Sequence, residues 1–102
     1  MSVIKISNES FDKVLSSDKR VLIDFYADWC GPCRMVSPIV DAIAEEHPEY
    51  LVCKVNVDEE AQLSEKFGVF SIPTLVVIDK GEVINKVSGA RPKEAILDLL
   101  RK

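Results

Sequence analysis

An α/β fold in one domain is predicted for this 102-residue chain by three features of its sequence. Short Val- and Ile-rich runs alternate with stretches of helical period, which is the pattern of strands and helices taken in turn. Two late apolar runs are separated by only Asp79-Lys80-Gly81-Glu82, a turn that joins antiparallel strands. Apolar residues make up 47% of the chain, enough to fill one core without metals or a dense disulfide framework. No repeat, linker or low-complexity tract interrupts the alternation, so a single domain over residues 1–102 is expected.

Each element has its own local reason. Val3 to Ile6 reads as a first strand, and Asn8 as the N-cap of a helix reaching about Ser16. Val21 to Tyr26 is apolar on both faces apart from Asp24, which places it mid-sheet. From Cys33 to about His47, Val36, Ile39, Val40 and Ile43 recur at three- and four-residue spacing and mark one buried helical face. Pro38 removes the hydrogen bond to the Arg34 carbonyl and is expected to kink that helix, either to aim its first turn or as a tolerated bend. Leu51 to Val57 is a third strand, with Leu51, Cys53, Val55 and Val57 on one face and Val52, Lys54 and Asn56 on the other. Asp58 is expected to begin a short helix ending at Phe67. Thr74 to Ile78 and Val83 to Val87 form the hairpin. In the last helix Pro92 suits the first turn, Ala95, Ile96, Leu99 and Leu100 form the inward stripe, and Arg101 and Lys102 complement the C-terminal dipole. The order is βαβαβαββα.

Charge narrows the function. Thirteen basic residues against seventeen acidic ones give a net charge of -4, with no basic patch to meet nucleic acid or anionic lipid. No run approaches the ~18 apolar residues of a membrane span, and residues 1–7 lack a basic stretch followed by a sustained apolar region. A cytoplasmic monomer with no nucleic-acid or membrane partner is the expectation.

The chemistry concentrates at Trp29-Cys30-Gly31-Pro32-Cys33, directly after an apolar strand and at the head of a helix. Amides of a first helical turn have no intrahelical partners, and a sulfur held there is favoured as thiolate, its reactive form. A Cys-x-x-Cys can also be half of a zinc site, but only Cys53 and His47 remain as soft ligands and Cys53 lies mid-strand, so no metal is expected. Cys30, ahead of the helix, is expected to be exposed and to attack a disulfide. Cys33, inside the helix and shielded, then resolves the mixed disulfide after losing its proton. Gly31 permits close approach, and Pro32 fits the first helical position without adding charge, whereas a histidine there would make the pair more oxidising. The chain therefore leans towards a reductant.

Asp24 interrupts an apolar strand and is expected to be a buried carboxyl whose pKa desolvation raises. It serves either as the base that takes the Cys33 proton or as a structural partner of Lys54. Lys54, on the neighbouring strand, either lowers that pKa and steadies the charge or is a surface lysine with a buried stem. Cys53 reads as a small buried hydrophobe, with a regulatory thiol as the alternative, and His47 as a surface residue at a helix C-terminus.

Asp24-Phe25-Tyr26-Ala27-Asp28-Trp29-Cys30-Gly31-Pro32-Cys33, Ile72-Pro73-Thr74, Gly81-Glu82 and Gly89-Ala90, in that order and spacing, resemble the thioredoxin family over essentially the whole chain. The resemblance implies a three-layer sandwich, a five-stranded mixed sheet of order 1-3-2-4-5 flanked by four helices, and reduction of protein disulfides through a redox-active Cys30–Cys33 pair. It implies no bound cofactor, with electrons supplied by an NADPH- or ferredoxin-dependent thioredoxin reductase and passed to disulfide-containing proteins. It also implies a cis Pro73 against the dithiol, where the Ile72 backbone pairs with substrate, although most X-Pro bonds are trans. Trp29, Pro32, Ile72, Gly89 and Ala90 would then surround Cys30 as a flat docking surface, unless Trp29 is simply packed. Tyr26, Phe70-Ser71 and Ser88 depart from the commonest family pattern, which bears on partner choice. A disulfide oxidase or isomerase, and a non-enzymatic binding subunit of the same fold, are the alternatives.

Overall fold

The computed structural model describes residues 3–101. Its elements are β1 (Val3–Lys5), α1 (Phe11–Leu15), β2 (Arg20–Tyr26), α2 (Gly31–Glu46), β3 (Tyr50–Asn56), α3 (Ala61–Lys66), β4 (Thr74–Asp79), β5 (Glu82–Ser88) and α4 (Lys93–Arg101). The sheet runs β1-β3-β2-β4-β5, the order implied by the resemblance. β1 and β2 lie parallel to β3, while β4 is antiparallel to both β2 and β5.

Strand periodicity splits the core into two halves. Val21, Ile23 and Phe25 of β2 point, with Cys53 and Val55 of β3, towards Phe11 and Val14 of α1 and Leu63 of α3. Leu22 and Val52 point the other way, towards Val36, Val40 and Ile43 of α2 and Ile96, Leu97 and Leu100 of α4. Residues 21–25 are buried throughout, which is why β2 carries few polar residues. Each large side chain so buried contributes about 1.5–3 kcal/mol. The Phe67 ring, 5.3 Å edge-on from Phe11 and 5.5 Å from Phe25, anchors the end of α3. The sharp reversal between β4 and β5 uses Lys80 (φ 53°) and Gly81 (φ 82°), two left-handed residues as a two-residue hairpin requires.

Several boundaries differ from expectation. Asn8 does not cap α1, because Ser10 holds that place within a turn closed by the Ser7 amide donating to Ser10 Oγ. Asn8 instead joins α1 to the α3 region: its amide donates to Glu60 Oε1 (2.9 Å) and its Nδ2 to Gln62 Oε1 (3.0 Å). Asp58 does not open α3. Its amide is taken by Asn56 Oδ1 (2.9 Å), and the Glu59 and Glu60 amides by the Asn56 carbonyl, so the chain completes a turn before the helix starts at Ala61. α2 begins at Gly31, two residues before the expected start, and runs unbroken across the exposed Pro38. Pro92 lies just ahead of α4, its carbonyl accepting from Ala95 and Ile96. The inward stripe of α4 is Ile96, Leu97 and Leu100, and Ala95 and Leu99 are only half-buried: α4 is rotated slightly so that Leu97 meets the sheet. Arg101 pairs with Glu94 (3.5 Å) and Asp98 (3.6 Å), and Lys102 lies outside the described residues.

Candidate active site

β2 ends at Tyr26, and the short loop 27–29 delivers Cys30 to the N-cap of α2, with Pro32 in the first helical turn where its missing N–H costs nothing. The Cys33 amide donates to Cys30 Sγ over 3.2 Å, so the sulfur occupies the place a capping oxygen usually takes. Cys30 and Cys33 are joined as a disulfide with Cα atoms 5.2 Å apart. An amide aimed at Cys30 Sγ favours negative charge there once the bond is reduced.

The expected contrast of an exposed Cys30 and a shielded Cys33 is not what the oxidised structure holds. Both are buried, at 4% and 2% exposure, because the disulfide packs among Tyr26, Ala27, Val57 and Ile72. What differs is direction: Cys30 Sγ lies 3.9 Å from the Ile72 carbonyl oxygen, while Cys33 borders a separate cleft of about 190 Å³ with Tyr26, Asp28 and Ser37.

The facing wall comes from β4 and β5. The Ile72–Pro73 bond is cis, Pro73 is buried, and its carbonyl accepts from the Gly89 amide at 2.8 Å. Gly89 needs its φ of 93°, and among the described residues nothing lies within 4 Å of where a Cβ would project. Gly31 is equally open, so at both positions the free space faces outward. Trp29 is 67% exposed, its Nε1 donating to Asp58 Oδ2 over 2.8 Å, which holds the indole on the surface instead of in the core. Pro32 and Ala90 are exposed and Ile72 half-buried.

Two residues enlarge this apolar face beyond the expected set. Phe70 is 97% exposed and shares a groove of about 370 Å³ with Trp29, Val57 and Ile72. Met35, 69% exposed, lines a second groove with Ile39, Ala90 and Pro92. A lone phenylalanine in the loop before Ile72 was a visible signal for the first. Nothing in the local pattern around Met35 separated it from an ordinary surface residue.

Asp24 sits in β2 at 1% exposure, and neither carboxylate oxygen has a hydrogen-bond partner among the described residues. Burial pushes its pKa up to about 6; Lys54 pulls it down and Asp41 pushes it up. The β2–β3 register places Lys54 directly beside it, yet the ammonium does not pair with Asp24. It donates to Ser37 Oγ (2.5 Å) and pairs with Asp41 Oδ1 (3.0 Å), with its side chain 14% exposed. The reading of Asp24 as an ion-pair partner of Lys54 is therefore corrected. Ser37 and Asp41, four residues apart on α2, went unread because a serine and an aspartate beside an apolar stripe look like solvated positions.

Cys53 is fully buried and unpaired, and burial pushes its thiol up to about 12, as befits a small hydrophobe. His47 is the C-cap of α2, with Nδ1 3.1 Å from Glu49 Oε2. Among the described residues no three His, Cys, Asp or Glu side chains gather to hold a metal, and no helix is long and apolar enough to cross a membrane.

A family model described as thioredoxin matches residues 2–102. The chain is 46% identical over 104 residues to a thioredoxin of Porphyra purpurea, covering 100% of this chain and 97% of that one. It is 41% identical over 103 residues to a thioredoxin of Bacillus subtilis (strain 168), covering 100% and 98%. Among solved structures it is similar to a mutant thioredoxin from Halobacterium salinarum NRC-1, with a TM-score of 0.92 and 39% identity over 98% of this chain and 88% of that one.

Proposed function

The chain belongs to the thioredoxin family and reduces protein disulfides by dithiol–disulfide exchange, and we propose that Cys30 attacks, Cys33 resolves and Asp24 takes the Cys33 proton. The Cys30 thiolate attacks one sulfur of the substrate disulfide, forming a mixed disulfide and releasing the other substrate sulfur as thiolate. Cys33 passes its proton to the Asp24 carboxylate, directly or through one water, and its thiolate attacks Cys30 Sγ. The Cys30–Cys33 bond forms, the mixed disulfide breaks, and two electrons have passed to the substrate.

The observation that carries this reading is the Cys33 amide aimed at Cys30 Sγ at the N-cap of α2, which supports Cys30 as the stabilised thiolate once the bond is reduced. Trp29, Pro32, Ile72, Gly89 and Ala90, joined by Phe70 and Met35, form the docking face. Gly31 leaves room for the partner, and Pro73 closes the wall opposite the dithiol. We assign the electron supply to a thioredoxin reductase, the substrates to disulfide-bearing proteins and the setting to the reducing cytoplasm, with the protein acting as a monomer. The uncharged Gly31-Pro32 pair argues for a reductant over an oxidase or isomerase, and the intact dithiol argues against a purely binding role.

The test is reduction of a protein disulfide by this chain with NADPH and a thioredoxin reductase, beside alkylation of the reduced dithiol across pH. Turnover is expected, with Cys30 alkylated well below the pH at which a free cysteine reacts and Cys33 more slowly. Equal alkylation rates at the two sulfurs would overturn the division of roles, and no turnover would overturn the reductase setting.

A further inference from the structure

The unpaired state of Asp24 needs a cause, because a lysine stands beside it. β2 and β3 are parallel and in register, with Asp24 opposite Lys54 and both side chains on the α2 face of the sheet. Neighbouring strands are about 4.8 Å apart, well within a lysine's reach. A buried carboxylate with open lone pairs is costly, so a free ammonium at that distance would close on it. It does not: the ammonium is on Ser37 Oγ at 2.5 Å and Asp41 Oδ1 at 3.0 Å, while both Asp24 oxygens are without partners among the described residues.

We propose that Asp41 and Ser37 are positioning residues that hold the Lys54 ammonium away from Asp24 and so keep Asp24 an unpaired base for Cys33. The inference rests on the base role assigned to Asp24 above. Ser37 and Asp41 lie four residues apart and present both acceptors on one side of α2. Asp41, 56% exposed, gives Lys54 a charged partner at the rim, where the pair stays partly hydrated. An ammonium that turned inward would stabilise the charged form of Asp24 and make it a poorer proton acceptor. Among the described residues the charged groups that act on Asp24 are Lys54 from β3 and Asp41 from α2; Cys33, also on α2, becomes titratable only once reduced. β4 offers Leu75 and α4 offers Ile96, Leu97 and Leu100, which carry no charge.

Carbon-13 titration of the Asp24 carboxyl in the oxidised protein reads this directly, since Cys33 cannot titrate there. From about 6 in the parent, the midpoint is expected to fall by roughly one pH unit in Asp41→Asn, to fall less in Ser37→Ala, and to rise in Lys54→Met. Loss of the direct Asp41 repulsion alone also lowers it, so the double variant Asp41→Asn/Lys54→Met decides. If Asp41 acts by holding Lys54, its substitution has a much smaller effect in the Lys54→Met background. An equal effect in both backgrounds, or an unmoved midpoint in Asp41→Asn, overturns the proposal. The acid limb of mixed-disulfide resolution is then expected to move with the midpoint. A moved midpoint with an unmoved rate profile sinks the base role of Asp24 and leaves the hold on Lys54 standing.

Discussion

In the proposed mechanism Asp24 couples stability to chemistry through a single carboxyl group. That group titrates at about 6 in the fold against an ordinary 3.8, chiefly through burial. A group whose folded pKa is raised binds its proton more tightly when folded, so its penalty on stability is absent below about 4, grows as pH rises to 6 and is constant above. At pH 7 that penalty is roughly 2–3 kcal/mol. Asp24→Asn should therefore raise the denaturant midpoint at pH 7 and lose that advantage as pH falls towards 4, while resolution of the mixed disulfide slows. A variant with parent stability at pH 7 and parent turnover would falsify both the burial cost and the base role. Cys53 makes the opposite case, because its depth keeps the thiol protonated and inert.

Strands, helices and turns are set by local chemistry wherever one residue type dominates a position. The β4–β5 turn needs two left-handed residues; Gly81 meets this freely, whereas Lys80 at φ 53° is strained by its Cβ. Lys80→Asn is expected to stabilise the protein by about 0.5–1 kcal/mol, seen as a higher denaturant midpoint with an unchanged slope, because asparagine tolerates this conformation. A lower midpoint would show that Lys80 has a compensating contact. α2 shows a different balance. Its apolar face packs Val36, Val40 and Ile43 into the core, and that packing carries the helix through Pro38 despite the lost Arg34 bond.

Across the domain, the loop after β2, Val57 after β3 and the approach to β4 meet at the dithiol, and the Gly89 amide ties the end of β5 to Pro73 beside them. Among the exposed apolar residues there, Phe70, 97% exposed, and Trp29 wall the same groove. In the proposed docking face, exposed aromatics at such a rim act as anchors for a partner chain. In Phe70→Ser, kcat/KM for a protein disulfide, taken as a ratio to that for a small soluble disulfide, should fall by roughly five- to tenfold. An unchanged ratio would remove Phe70 from the docking face.

The order of elements, the two-sided burial of β2, the hairpin and the sulfur pair at a helix start were all legible along the chain, since each follows from residues close together in it. Periodicity also put Lys54 on one face of its strand with Val52 and Asn56, because strand side chains alternate with period two. Three outcomes were not written there: where the Lys54 ammonium goes, that Cys30 is covered in the oxidised state, and that Phe70 and Met35 wall grooves with Trp29, Ile72 and Ala90. They depend on which of several partners, distant in sequence, a long side chain or an open surface meets. Such a choice is made by packing three layers together, and no local pattern records it.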